Sequence, residues 1–328
     1  MSILVTGSAG HLGEAIVRTL RQQGQRVSGL DIKPSPFTDR VGSITDPEFV
    51  GATMQGASVV MHTATLHKPH MVTHSMQDFI DTNVTGTLRL LEAAAAAGVQ
   101  AFIYTSTTSV FGNALTPAAG EPAVWVTEEL QPLPRNIYGT SKWMAEQLCE
   151  LFFRSRQLPV IILRTSRFFP EQDDNAAIRA QFEAANAQAN ELAYRRLDIE
   201  DAVSAHLLAA AAAKRIGFAR YILSATSPFT QLDLQAVREH APSVLQRKFP
   251  AYVRLYAGRG WRFLDSLDRI YVNERARREL GWRPRVDFGY VLECLEAGCD
   301  FRSTLALEIG SKGYHDRVFE RGPYPVPA

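Results

Sequence analysis

The feature that most restricts the fold is the run TGSAGHLG at residues 6–13, set between a short apolar stretch and an amphipathic one. Residues 3–6 read as a buried strand. Leu12, Ile16, Val17 and Leu20 recur at helical spacing over residues 12–23, and Gly24 suits the C-cap. Between strand and helix, Gly7, Gly10 and Gly13 permit a tight turn, let a backbone approach a pyrophosphate, and let helix pack closely on strand. His11 and Leu12 open the helix, whose amino-terminal N–H groups turn partial positive charge toward phosphate.

The alternation of strand and helix continues. Residues 26–30 read as a second strand ending at Asp31, and Asp46-Pro47 opens a short helix with the aspartate as N-cap. Further strands are expected at 59–62, 101–106 and 160–163, with long helices at 74–97 and 138–156. This pattern predicts an α/β fold with a Rossmann-type doubly wound parallel sheet. Residues 112–134, rich in proline and glycine and without periodicity, read as a loop over the site. Beyond them, helices at 176–193, 199–213, 274–280 and 286–297 and a strand at 221–224 predict a smaller mixed α/β lobe. The proline-rich tail at 322–327 reads as irregular. The expected division is a nucleotide-binding domain at 1–165 that carries the catalytic residues. A mainly substrate-binding lobe at 166–328 follows, with some segments returning to the first domain.

A chain of 328 residues accommodates both parts, and 46% hydrophobic against 21% charged residues suits a packed core. A net charge of +1 provides no field for nucleic acid or a membrane surface. Cys149, Cys294 and Cys299 lack metal-ligand spacing and read as reduced thiols. No basic-then-apolar leader and no apolar run of spanning length stands out, so a cytoplasmic location is expected.

Asp31 lies 18 residues beyond Gly13, where a carboxylate accepts hydrogen bonds from adenosine ribose hydroxyls and repels a 2′-phosphate. NAD is therefore the expected cofactor rather than NADP, with Lys33 read as a solvated surface residue. Tyr138 and Lys142 are four apart at the start of a helix, on one face and one turn apart. A free phenol titrates near ~10, too high for a base at neutral pH. A neighbouring ammonium, helped by an oxidised nicotinamide ring, favours the phenolate, which then takes the proton from a carbinol as hydride leaves the same carbon. The strand at 101–106 ends in the hydroxyl cluster Thr105 to Ser109, at the end of a parallel strand where ligands bind.

TGSAGHLG, Asp31, His62-Thr63-Ala64, Asn83-Val84-Thr85-Gly86-Thr87, FIYTSTTSVFG and YGTSK stand in the order of the extended short-chain dehydrogenase/reductases. More narrowly, the chain resembles the NAD-dependent epimerase/dehydratase branch typified by UDP-galactose 4-epimerase. The resemblance is strong to about Arg164 and continues faintly through LDIEDAVSAHLLAA and RARRELGWRPRVDF. It implies that Thr107, aligned on Gly112, joins Tyr138 and Lys142 as the catalytic set. It also implies cofactor contacts from Thr63, Ala64, Tyr138 and Lys142, a bracing and cofactor-side role for Asn83, and substrate contacts from His67 and Thr108. A homodimer through helices 74–97 and 138–156 follows from the same resemblance.

Three departures bear on the substrate. Thr108-Ser109 stands where sugar-nucleotide dehydratases carry an Asp-Glu pair, which disfavours water elimination. Arg167 stands where nucleotide-sugar epimerases have an asparagine for the diphosphate; it reads either as an anion-binding residue or as a surface ion-pair partner. Between Arg167 and Asp201 the chain has only a charged, alanine-rich stretch in place of a loop that grips a nucleotide base. The histidine-rich run at 62–74 reads as polar pocket lining rather than a metal site, and Trp125 as a loop anchor.

The expected function is NAD-dependent hydride transfer at a carbinol carbon of a sugar or sugar-nucleotide-like small molecule, as an epimerase. One alternative is a dehydrogenase of a small polyol, sugar acid or hydroxy-carbonyl compound. Another class is a catalytically silent NAD-binding sensor or scaffold.

Overall fold

Strands with apolar side chains on both faces need cover on both faces, and the helices of this chain supply it. The structure, a computed structural model, describes residues 2–173, 175–313 and 319. Its strands are β1 (Ser2–Thr6), β2 (Arg26–Asp31), β3 (Arg40–Val41), β4 (Val59–His62), β5 (Ala101–Thr107), β6 (Val124–Val126), β7 (Val160–Thr165), β8 (Phe218–Leu223) and β9 (Arg269–Tyr271). The helices of the first half are α1 (His11–Gln22), α2 (Pro47–Met54), α3 (Met76–Phe79), α4 (Gly86–Ala96) and α5 (Ile137–Arg156). Then come α6 (Ala176–Gln181), α7 (Ala184–Glu191), α8 (Ile199–Ile216), α9 (Leu234–Lys248), α10 (Ala251–Ala257), α11 (Glu274–Leu280), α12 (Phe288–Ala297) and α13 (Thr304–Ile309). None of the described helices is long and apolar enough to cross a membrane.

Seven strands form one parallel sheet in the order β3-β2-β1-β4-β5-β7-β8, the doubly wound arrangement expected from the alternation. Successive side chains alternate between its faces. Ile3, Val5, Ile103 and Ile161 pack under α1 and α8, with Trp282 closing that core. Leu4, Phe102, Tyr104 and Ile162 pack against Leu90 and Leu91 of α4 and Ala145 and Cys149 of α5. A separate core around Tyr256, Phe263 and Phe288 holds the smaller lobe. Strand order reverses between β1 and β4, which opens a crevice at the carboxyl ends of the strands.

Several boundaries differ from expectation. The helix expected at 74–97 starts at Met76, because Ser75 caps it reciprocally with Asp78, and it widens into a π turn at Ile80–Thr85. Residues 112–134 are not a plain loop: a 3₁₀ segment covers Thr108–Leu115, and β6 pairs with β9 in a second, two-stranded parallel sheet. Three-residue strands carry no legible period; burial of Val110, Phe111, Leu115 and Val126 against Tyr271 is what orders them. The helix expected at 176–193 breaks at Phe182, whose extended backbone lets its ring sit 4.7 Å below the Arg262 guanidinium. The expected strand 221–224 begins earlier, at Phe218, and α9, α10 and α13 fall where no element was assigned. Trp125, in β6, packs on the smaller lobe's core. The tail 322–327 lies outside the described residues.

A buried carboxylate ties the sheet to α5. Glu146, fully buried, accepts from Ser106 Oγ at 2.6 Å and from Arg164 at 2.8 Å (Nη2) and 3.1 Å (Nε), while Arg220 approaches it at 3.3 Å. Removing one member of such a set strands a buried charge. Glu146→Ala is expected to destabilise the cofactor-free protein by about 3–5 kcal/mol in urea denaturation. Glu150→Ala, which removes the more exposed partner of Arg220, is expected to cost less than about 1 kcal/mol.

Candidate active site

The carboxyl end of β1 turns at Gly7 with φ +76°, a conformation that glycine adopts without strain. A Cβ at Gly7 would lie 2.6 Å from the Ala64 nitrogen, and one at Gly13 would lie 1.9 Å from the Gly7 carbonyl oxygen. The ends of β1 and β4 and the first turn of α1 therefore meet backbone to backbone. Gly10 stands at the N-cap of α1 with no side chain to close the first turn. Asp31 lies at the rim of this cradle, its Oδ2 accepting from the Ala9 N–H at 3.0 Å and its Oδ1 from Lys33 N–H at 2.9 Å. A cradle that a single Cβ would fill, beside a strand-end carboxylate, fits the pyrophosphate and adenosine ribose of a dinucleotide.

From the cradle the crevice runs into a cleft of about 660 Å³. Every residue expected from the sequence to be catalytic or to bind cofactor or substrate borders it except Asn83. That residue is buried behind the wall. Its Oδ1 accepts from Thr65 Oγ1 and Leu66 N–H, both at 2.8 Å, and its Nδ2 donates to Leu66 O and Ser141 Oγ, both at 3.0 Å. It thus joins the loop after β4 to the residue before Lys142. His62 is likewise fully buried, bonded through its two ring nitrogens to Thr6 Oγ1 at 2.7 Å and Thr87 Oγ1 at 2.9 Å.

Asn136 caps α5 by accepting from the Gly139 N–H at 3.0 Å, which sets Tyr138 in the first turn and Lys142 one turn later. Thr107, the last residue of β5, borders the cleft beside Tyr138. Both Tyr138 and Lys142 are buried, and the Lys142 amine sits 4.2 Å from the centroid of the Tyr104 ring. Burial pushes the phenol up to about 12, against the opposing pull of the Thr107 hydroxyl. Burial also pushes the Lys142 amine down to about 7, with Cys149 and Glu146 opposing. In the cleft itself, desolvation outweighs the ammonium effect expected from the sequence: the phenol stays protonated, and the amine titrates close to neutral pH. The His67 ring lies 6.1 Å from that of Tyr138. Burial, followed by the charges of His70, Lys142 and His11, holds it well below the usual histidine range.

Arg167 borders the cleft and is ion-paired, with Nη1 2.5 Å from Asp173 Oδ2, as its ion-pair reading expected. Sequence reasoning missed Phe169, Arg195, Arg269, Tyr271 and Lys312, all on the cleft wall. No local motif marks them, because they reach the cleft only through long-range packing. Lys312 comes from beyond α13 to bind Glu14 of α1, and its N–H donates to His11 Nε2 at 3.2 Å.

The amine of Lys142 titrates near 7 in the folded chain, against ~10.4 when unfolded. Between these values the unfolded chain binds the extra proton, so stability rises with pH. In urea denaturation of cofactor-free protein, wild type is expected to gain stability from about pH 7 to about pH 9. Lys142→Met should lack that rise and be the more stable protein at pH 7.

A sequence profile of the NAD dependent epimerase/dehydratase family matches residues 3–218. The UDP-glucose 4-epimerase of Erwinia amylovora is 34% identical over 167 residues, which is 45% of this chain and 47% of that protein. The 3-beta-hydroxysteroid dehydrogenase of Mycolicibacterium neoaurum is 34% identical over 155 residues, 44% of this chain and 41% of that one. The chain thus spans under half the length of either relative. A crystal structure of a short-chain dehydrogenase/reductase superfamily protein from Agrobacterium tumefaciens, with NAD bound, is 25% identical. It superposes with a TM-score of 0.64 over 94% of this chain and 99% of its own.

Proposed function

The chain belongs to the NAD-dependent epimerase/dehydratase family, and from that premise we propose that it transfers a hydride at a carbinol carbon of a sugar or sugar-nucleotide-like substrate. The observation that carries this reading is that Thr107, Tyr138 and Lys142, the last two one helical turn apart, line the same cleft as the glycine cradle. NAD bound there would supply the hydride acceptor and donor, and its oxidised ring a positive charge. Gly7, Gly10, His11, Leu12 and Gly13 would hold the pyrophosphate, Asp31 the adenosine ribose, and Thr63 and Ala64 the wall behind them.

The substrate hydroxyl takes a place between Thr107 and Tyr138. Thr107 fixes the oxygen, and Tyr138 accepts the hydroxyl proton as the carbinol is oxidised and returns it when the carbonyl is reduced. Its high resting value keeps the phenol protonated until a second positive charge joins Lys142, which confines base strength to the loaded site. His67, held neutral, walls the cleft without adding charge beside the phenol. Thr108 and Ser109 supply no carboxyl group for water elimination, so the reading is epimerase or dehydrogenase rather than dehydratase. Met144 and Leu151 leave apolar surface exposed on α5, which supports a homodimer through α4 and α5.

A dehydrogenase of a compact substrate is the second reading, favoured by the short helices α6 and α7 where a base-gripping loop would otherwise stand. Releasing the cofactor from purified protein by denaturation separates the two. NAD recovered at near one per chain supports the epimerase, and protein that is empty but binds added NAD supports the dehydrogenase. Tyr138→Phe is expected to lower turnover by about 10²–10⁴-fold while NAD binding is kept. Unchanged turnover would instead remove Tyr138 from the acid/base role, and no turnover with any sugar despite bound NAD would favour a silent NAD-binding protein.

A further inference from the structure

The geometry points to a substrate that carries a carboxylate, held by guanidinium groups beyond the carboxyl end of β7; this rests on the carbinol reading above. Arg135, Arg167, Arg195 and Arg269 all border the cleft, whereas its carboxylates are Asp31, at the nucleotide end, and Asp78. Arg167 and Arg195 share two acidic partners. Asp173 lies 2.5 Å from Arg167 and 3.3 Å from Arg195, and Glu191 lies 3.6 Å and 2.6 Å from them. Arg196 also draws on Glu191, at 2.8 Å. The wall thus gathers three guanidinium groups around Asp173 and Glu191.

Arg269 adds another. No described carboxylate pairs with it, and its Nε is shielded from water with no hydrogen-bond partner; the Nε of Arg195 is in the same condition. Arg269 borders the cleft, where a ligand oxyanion can meet its guanidinium without displacing a described acidic partner. Arg269 is also held in place, since β9 pairs residue for residue with β6. A guanidinium fork suits a planar carboxylate, which accepts two parallel hydrogen bonds.

The chain after Arg167 favours a compact anion over a nucleotide diphosphate. The segment between Arg167 and α8 is filled by α6 and α7, the latter anchored where Asn186 and Asn190 donate to the Arg262 carbonyl at 3.0 and 2.9 Å. A sugar acid meets both the charge and the size.

The test gives purified full-length protein and NAD to glucuronate and galacturonate, to glucose and galactose, to galactose 1-phosphate and to UDP-glucose. NADH formation and NMR of the sugar are followed together. The sugar acids are expected to be used at least about 10-fold more efficiently than their neutral counterparts. Arg269→Met should raise KM for the acids about 10- to 100-fold with little change in kcat, leave KM for neutral sugars unaltered, and be partly rescued by Arg269→Lys. Preference for the neutral sugars, the sugar phosphate or UDP-glucose overturns the carboxylate inference and leaves the carbinol reading standing. So does an Arg269→Met defect equal for acids and neutral sugars. If no sugar of any class reacts, the carbinol reading falls and the inference with it. The substrate comparison on wild type stands even if Arg269→Met fails to fold.

Discussion

The arrangement of the site depends on the buried carboxylate of Glu146. It sits on α5 one turn beyond Lys142 and binds Ser106, the residue before Thr107, so the helix and the end of β5 are locked in register. Arg164 and Arg220 extend the lock to β7 and β8. Taking several charges out of water is unfavourable unless every lone pair and N–H finds a partner. Here the geometry answers that demand, and in doing so fixes the spacing between a strand-end hydroxyl and a helix-borne phenol. Asn83 acts in the same way from the other side, through Ser141.

Electrostatically the cleft is divided. At the nucleotide end, charge comes from backbone: open N–H groups at the start of α1, and Asp31 presented at the tip of β2. In the middle, burial weakens charge: the Tyr138 phenol stays neutral and the Lys142 amine is brought down to titrate near neutral pH. At the far end, guanidinium groups cluster around Asp173 and Glu191. A ligand that spans the cleft therefore meets dipoles, then a nearly neutral reaction zone, then fixed cations, a sequence that orients it before any chemistry occurs.

What the sequence made legible was what depends on local physics. The glycine loop, the Asp46-Pro47 helix start and the alternating strands follow from backbone sterics, capping and burial period, and β1, β2, β4 and β5 fall close to where those signals put them, whereas the two-residue β3 carried no such signal. Tyr138 and Lys142 are legible because helical geometry brings residues four apart to one face. Elements that owe their form to distant partners were not. β6 and β9 exist only because each completes the other across a gap of more than a hundred residues. Phe182 interrupts an alanine-rich stretch of high helical propensity because a guanidinium stacks on its ring. Glu146 reads in sequence as one more charge on a helix surface, and nothing nearby reveals that Arg164 and Arg220 wait inside. Arg269 is silent for the same reason.

The ladder between β6 and β9 has a consequence for how such a protein can change. Val124–Val126 belongs to the stretch leading into the catalytic helix, whereas Arg269–Tyr271 belongs to the smaller lobe, and the two share main-chain hydrogen bonds. The lobe is consequently not an interchangeable module. A chimera that imports a foreign lobe after β7 would have to import a matching partner for β9 from before α5, or leave an unpaired strand edge beside the site. Exchange of specificity by recombination is thus restricted to crossovers that carry both strands together, and gradual substitution along the arginine-lined wall is the easier route to a new substrate.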